Sequence, residues 1–319
     1  MKKFYVVNSS YQEDYTFKDI LALYLHDSII IFCFVLALTA IFSNVLTLIV
    51  LVMFRQLRTP KNLILGSLAV ADIGICLSQV FSLLLECGIL GFPSYAPWLP
   101  IFIQHFFIAS SIMHLLLIAF DRYSLTIWKN RYSFISKIQL KVLLPIIWLT
   151  ALASQSLLTM VMLIYYKYWA VIAAWFWTVF IGVNIAMMPI LYYLVAKRTI
   201  HLSEMPASLQ PPSFKNNTGR LLRAMKGFLV IIIVSYMAWI PSLSVVHFIE
   251  FFERNIGILW EKVILDIVFM LVLFSCLVNP IVYVMVLREF RVTFRHILKC
   301  DCQCRCRHDA MSISVSSDY

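Results

Sequence analysis

Ala119-Phe120-Asp121-Arg122-Tyr123 closes the third of seven apolar segments in this chain. Ionisable residues at a membrane span are costly to place there and mark function. The Asp121–Arg122 pair therefore reads as a switch. The chain before it supplies a pocket, and the chain after it supplies helices that must move. Composition agrees with a membrane setting. Of 319 residues, 62% are hydrophobic and 13% charged, against about 25% charge in a typical soluble domain. No soluble fold hides that much apolar surface from water, so the chain reads as an integral membrane protein.

The seven apolar stretches fall at 28–54, 62–90, 98–125, 141–164, 169–196, 224–250 and 262–286. Each is near or above the roughly 20 residues that cross a bilayer as a helix. The expected fold is all-α: a bundle of seven transmembrane helices. Pro145, Pro189, Pro241 and Pro280 lie inside spans, which neighbouring helices tolerate by satisfying the freed backbone groups. The domain reading is an extracellular segment 1–27, a bundle 28–286, a short amphipathic cytoplasmic helix 287–299 and a Cys/Ser-rich cytoplasmic tail 300–319. Only Phe4 to Val7 follow Met1-Lys2-Lys3 before Asn8. That is too short for a signal-peptide core, so the first span is expected to be its own insertion signal.

Lys and Arg set the orientation. Twenty of the 26 lie in or beside the segments at one end: Arg55, Arg58 and Lys61, the run from Arg122 to Lys141, the run from Lys197 to Lys226, and the run from Arg288 to Arg307. The positive-inside rule puts that end in the cytoplasm, the N-terminus outside and the C-terminus inside. The net charge of +10 then follows from topology and attraction to anionic membrane lipid, without nucleic acid as a partner. Asn8-Ser9-Ser10 is a glycosylation sequon on the outer side. Asn216-Asn217-Thr218 is a second, on the inner side, where it stays unmodified.

The eight cysteines do not form a secreted disulfide framework. Cys33, Cys76, Cys87 and Cys276 lie in apolar spans. Cys300, Cys302, Cys304 and Cys306 follow an amphipathic run from Arg288 to Lys299 whose apolar residues suit the inner membrane surface. These tail cysteines suit palmitoylation; the rival is a metal site, which one-residue spacing fits poorly. Ser312, Ser314, Ser316 and Ser317 are either phosphorylation sites, making a cluster of negative charge, or part of a disordered tail.

Landmarks inside the spans narrow the class. In order they are Asn44, Asp72, Asp121-Arg122-Tyr123, Trp148, Pro189, Trp239-Ile240-Pro241 and Asn279-Pro280-Ile281-Val282-Tyr283, followed by the amphipathic run. Taken together, one per span from Asn44 to Phe290, they resemble the rhodopsin-like class of G-protein-coupled receptors. The resemblance implies an activation switch of Asp121, Arg122, Tyr123, Trp239, Pro241, Asn279, Pro280 and Tyr283. Pro241 would let the sixth helix swing, and Trp239 would link ligand to that hinge. Asp72, Ser111, Ser275 and Asn279 resemble the family's sodium-and-water pocket, with Asp72 as the ligand of an allosteric Na+. The alternative is a protonated Asp72 held by hydrogen bonds. No other cofactor is implied. The implied partners are a heterotrimeric G protein, arrestin, an extracellular ligand and membrane lipid, at the plasma membrane.

Several positions depart from that pattern. Pro97 stands where the family has a cysteine, and Tyr165–Tyr168 is a very short loop without one, so the outer disulfide is missing and the mouth is expected to be open or covered by the N-terminal segment. Leu221 replaces an acid that restrains the switch arginine, which predicts basal activity. Lys197 replaces a supporting tyrosine, and Lys129-Asn130 replaces a G-protein contact, which weakens the expected coupling.

Helical spacing aims Ile101, Gln104, His105, Ile108, Ile181, Trp239, Leu243, Val246 and Phe269 at a ligand pocket. Gln104 and His105 are its polar anchors, although His105 also reads as a hydrogen-bonded core residue and His114 as structural. Gln104 stands where amine receptors have an aspartate, and Leu273 where opsins have the retinal lysine. The expected ligand is therefore small and weakly polar, odorant-like or lipid-derived, as for a chemosensory receptor. Glu86 and Asp266 either attract a cation or are solvated rim charges. With Glu250, Glu253 and Glu261 they make a basic peptide the second reading. An enzyme is not expected, since no phosphate loop or His-Glu-x-x-His occurs. A seven-helix transporter is the rival class; it would need internal repeats and several mid-membrane charges.

Overall fold

The computed structural model describes residues 17–91, 98–127, 137–165, 168–205, 229–241, 244–245, 258–286 and 290–293. Its helices are α1 (Phe17–Met53), α2 (Pro60–Glu86), α3 (Leu99–Ile127), α4 (Lys137–Ile164), α5 (Trp169–Glu204), α6 (Leu229–Pro241) and α7 (Ile258–Val286). Six are long and apolar enough to cross a membrane, and α6 is a shorter apolar helix over its described residues. No strand occurs among the described residues. The fold is an all-α, seven-transmembrane-helix bundle.

Local chemistry explains where helix ends differ from the apolar stretches. α1 begins at Phe17, well before residue 28. No Gly or Pro interrupts it, and Asp19 in its first turn suits the positive end of the helix dipole. Its buried stripe Ala22, His26, Cys33, Ala37, Ala40 and Asn44 keeps helical spacing toward the bundle. α2 starts with Pro60 at its first position, where no N–H is needed. It stops at Glu86 rather than near 90 because Gly88 takes φ +70°. There Ile89 N–H donates to the Leu84 carbonyl and Gly88 N–H to the Leu85 carbonyl, a complete Schellman stop. α5 continues past residue 196 to Glu204, with Lys197, Arg198 and His201 near its C-terminal end. Of the expected amphipathic helix 287–299, residues 290–293 are described, and they are helical.

α3 packs against α2, α4 and α5, while α1 packs against α2 and α7. Lipid gives little hydrophobic drive between helices, so close packing and interhelical polar bonds must hold them. A Cβ at Gly74 of α2 would fall inside the Phe107 ring of α3, and one at Gly66 would sit 2.9 Å from Leu51 of α1. Two apolar clusters fill the interior. One, toward the predicted cytoplasmic half, holds Val50, Leu65, Leu68, Ile118, Tyr283 and Phe290. The other holds Ile75, Ile108, Ile112, Ile181, Trp239 and Leu273. Phe42, Leu149, Trp175, Val179 and Met237 face outward, as lipid contact requires.

Candidate functional site

Asp72 of α2 is fully buried. Ser111 Oγ of α3 donates to its Oδ1 at 2.8 Å, and Asn279 Nδ2 of α7 donates to its Oδ2 at 2.8 Å. One carboxyl thus joins three helices. Ser275, expected to face it, donates instead to the Val272 carbonyl of its own helix at 2.7 Å. Among the described residues no Lys, Arg or His pairs with Asp72. No cluster of three or more His, Cys, Asp or Glu suited to a metal occurs among them. The donor set fits a hard cation nonetheless, because such ions take oxygen ligands. Each Asp72 oxygen accepts one described hydrogen bond from Ser111 or Asn279 and keeps a lone pair, and the hydroxyl oxygen of Ser111 lies beside them.

Below that tie stand the residues of the expected switch. Asp121 is buried near the end of α3, and Tyr123 is half-buried with its ring 6.4 Å from Phe120. Arg122 lies on α3, but its side chain is outside the described residues. Tyr283 is buried, its hydroxyl has no hydrogen-bond partner among the described residues, and its ring lies 6.4 Å from Phe290. An unpaired buried hydroxyl costs energy in this position, and a tyrosine that changes partners would recover it. Pro280 removes the N–H that would have bonded the Cys276 carbonyl. Asn44 of α1 fills the gap, its Nδ2 donating to that carbonyl at 3.1 Å.

The expected pocket residues divide. Ile108, Ile181 and Trp239 are buried in one cluster with Leu273. Phe269 is half-buried on α7, and Ile101 is 41% exposed. Gln104 is buried and donates to Gln79 Oε1 of α2 at 2.6 Å. His105 pairs its Nδ1 with the Ile101 carbonyl at 2.8 Å, and its ring lies 5.0 Å from Trp177. His114 is a connector: its Nε2 meets Ser67 Oγ at 2.7 Å, where Trp148 Nε1 also donates at 3.1 Å. Leu243, Val246, Asn8, Pro97, Lys129, Leu221, Cys300, Cys302, Cys304, Cys306, Ser312, Ser314, Ser316 and Ser317 lie outside the described residues.

Of the two readings left open for Asp266 at the predicted outer end, the structure removes one. Asp266 is not a solvated rim charge. It is buried against His26 of α1, Oδ2 to Nδ1 at 2.6 Å. Glu86 lies 3.6 Å from His26 Nε2 and 3.0 Å from Lys262 Nζ. These four groups clasp α1, α2 and α7, which leaves neither acid without a basic neighbour. His26 and Gln79 escape the sequence reading. His26 sits before the apolar stretch that marks the first span, and Gln79 is one polar residue in an apolar run. Only the helical phase of His26 with Cys33 and Ala37 hints at burial.

Comparison with known proteins adds to this geometry. The sequence profile described as "7 transmembrane receptor (rhodopsin family)" matches residues 43–283. The chain is 22% identical over 296 residues, 85% of its own length and 77% of the relative's, to the QRFP-like peptide receptor of Branchiostoma floridae.

Proposed function

The chain belongs to the rhodopsin family of seven-transmembrane receptors, and we propose on that premise that it stands in the plasma membrane with its N-terminus outside and its C-terminus inside. An external ligand favours an arrangement with α6 tilted outward by binding that arrangement better. The opened inner cleft then admits a heterotrimeric G protein. The observation that carries this reading is the buried carboxyl of Asp72, tied to α3 and α7 by Ser111 and Asn279. It couples three helices at one polar point, and Cys276, one turn before Asn279 on α7, belongs to the same cluster as Trp239. Pro241 leaves the Met237 carbonyl without its helical partner, which makes a hinge just beyond Trp239. Asp121, Arg122 and Tyr123 act as the inner switch, with Tyr283 changing partners as α6 opens. Asp72 and Ser111 would hold a sodium ion, which would supply charge balance and favour the closed arrangement.

For the ligand, the geometry supports a small, weakly polar molecule. Ile108, Ile181 and Trp239 form an apolar wall, Gln104 with Gln79 supplies polar groups, and the outer acids are already engaged. A peptide is the second reading, favoured by the name of the amphioxus relative. Palmitoylation of Cys300, Cys302, Cys304 and Cys306, phosphorylation of the tail serines for arrestin, and glycosylation of Asn8 complete the proposal. Its test is second-messenger output in transfected cells, across several G-protein classes, with Arg122→Ala at matched surface expression. The expected result is a basal signal that the substitution abolishes. Equal signal from both proteins contradicts the switch. Panels of small apolar molecules and of short basic peptides, applied in the same cells, separate the two ligand readings.

A further inference from the structure

Pro189 stands inside α5 and has no N–H to give the carbonyl four residues earlier, which belongs to Ile185. In a membrane interior an orphaned carbonyl is costly, and neighbouring helices are the usual remedy. Tyr236 of α6 supplies it: its hydroxyl donates to the Ile185 carbonyl at 2.6 Å. The bond is the α5–α6 counterpart of the one Asn44 makes at the carbonyl freed by Pro280. The difference lies in what it joins. Asn44 ties α1 to α7, whereas Tyr236 ties α5 to the helix that must swing. Tyr236 is one turn before Trp239, and Ile185 is one turn after Ile181. Both pocket residues therefore sit next to the ends of a single hydrogen bond. Tyr236 also packs on the inner apolar cluster and Ile185 on the outer one, so the bond crosses between the two halves of the core.

We infer that Tyr236 is a positioning residue of the activation switch: its hydroxyl latches α6 to the α5 carbonyl freed by Pro189, and that latch opens when α6 swings. A ligand that wedges between Ile181 and Trp239 spreads the two helices at the latch and breaks it. The inference rests on the reading of α6 as the moving helix. The sequence alone hides the device, since a tyrosine in an apolar helix reads as packing.

The test uses purified full-length receptor with spin labels at positions 61 and 229, where the inner ends of α2 and α6 are tracked without any G protein. Tyr236→Phe removes one oxygen and keeps the ring. It is expected to raise the open fraction about three- to fivefold, the size of one interhelical hydrogen bond in a membrane. Pro189→Ala restores an N–H for the Ile185 carbonyl, so in that background Tyr236→Phe is expected to add nothing. An unchanged or smaller open fraction in Tyr236→Phe, or the same increase in the Pro189→Ala background, overturns the latch. Thermal unfolding of each variant separates this from a general loss of structure. Basal G-protein output with Arg122→Ala as control is measured in parallel. If it is absent while the distance shift remains, the coupling reading fails and the latch stands.

Discussion

Asp72 carries a buried acid group with neutral donors on both oxygens and no basic side chain paired with it among the described residues. A cation or a proton must therefore balance the charge. With sodium there, raising Na+ in membranes at constant ionic strength lowers basal G-protein output, and Asp72→Asn makes the output independent of Na+. A wild-type signal indifferent to Na+ would leave the protonated form. His26 is the second decisive residue. His26→Ala leaves the buried Asp266 carboxylate without its 2.6 Å partner, at a cost of about 1–3 kcal/mol. Lys262→Ala breaks only a partly exposed pair with Glu86, at about 0–1 kcal/mol. Thermal unfolding in detergent should show His26→Ala with clearly the larger fall in Tm. Asp72, Ser111 and Asn279 are legible from sequence because each sits at a fixed place in a recognisable pattern. His26, Gln79 and Tyr236 are not, since their meaning depends on what lies across the helix interface.

Among the elements, α2 and α3 show how closely this bundle is fitted. The Phe107 ring occupies the space a side chain at Gly74 would need. Gly74→Ala should cost about 1–3 kcal/mol through overpacking, read as lost surface expression and a lower Tm, and Phe107→Ala in the same chain should recover much of it. A Gly74→Ala receptor as stable as the wild type would mean α3 has room to shift. Hydropathy locates the helices but not their ends. α2 stops where Gly88 closes a Schellman turn, which is a backbone event inside a run that stays apolar to Leu90. α1 starts early because Lys18, Asp19 and His26 lower the hydropathy without breaking the helix. The prolines in α5 and α7 look alike in sequence, yet each is completed by a different neighbour, Tyr236 or Asn44.

Across the whole molecule, apolar periodicity and charge placement are enough for a seven-helix bundle, because a bilayer allows few alternatives. The site is less legible, since it arises where α2, α3, α6 and α7 converge and no single stretch contains it. The departures at Leu221 and Lys197 bear on how easily that convergence opens. If no acid near Leu221 holds Arg122, as proposed, the restraint on α6 would fall to contacts such as the bond from Tyr236 to the Ile185 carbonyl. We propose that α6 moves outward to admit a G protein. The most direct test is the distance between spin labels at positions 61 and 229 in purified receptor, with Cys87 and the four tail cysteines replaced, before and after adding nucleotide-free heterotrimeric G protein of the class that responds in cells. The expected result is a new, longer distance that grows with G protein and is lost in Arg122→Ala. A distribution that stays unchanged at saturating G protein would contradict it.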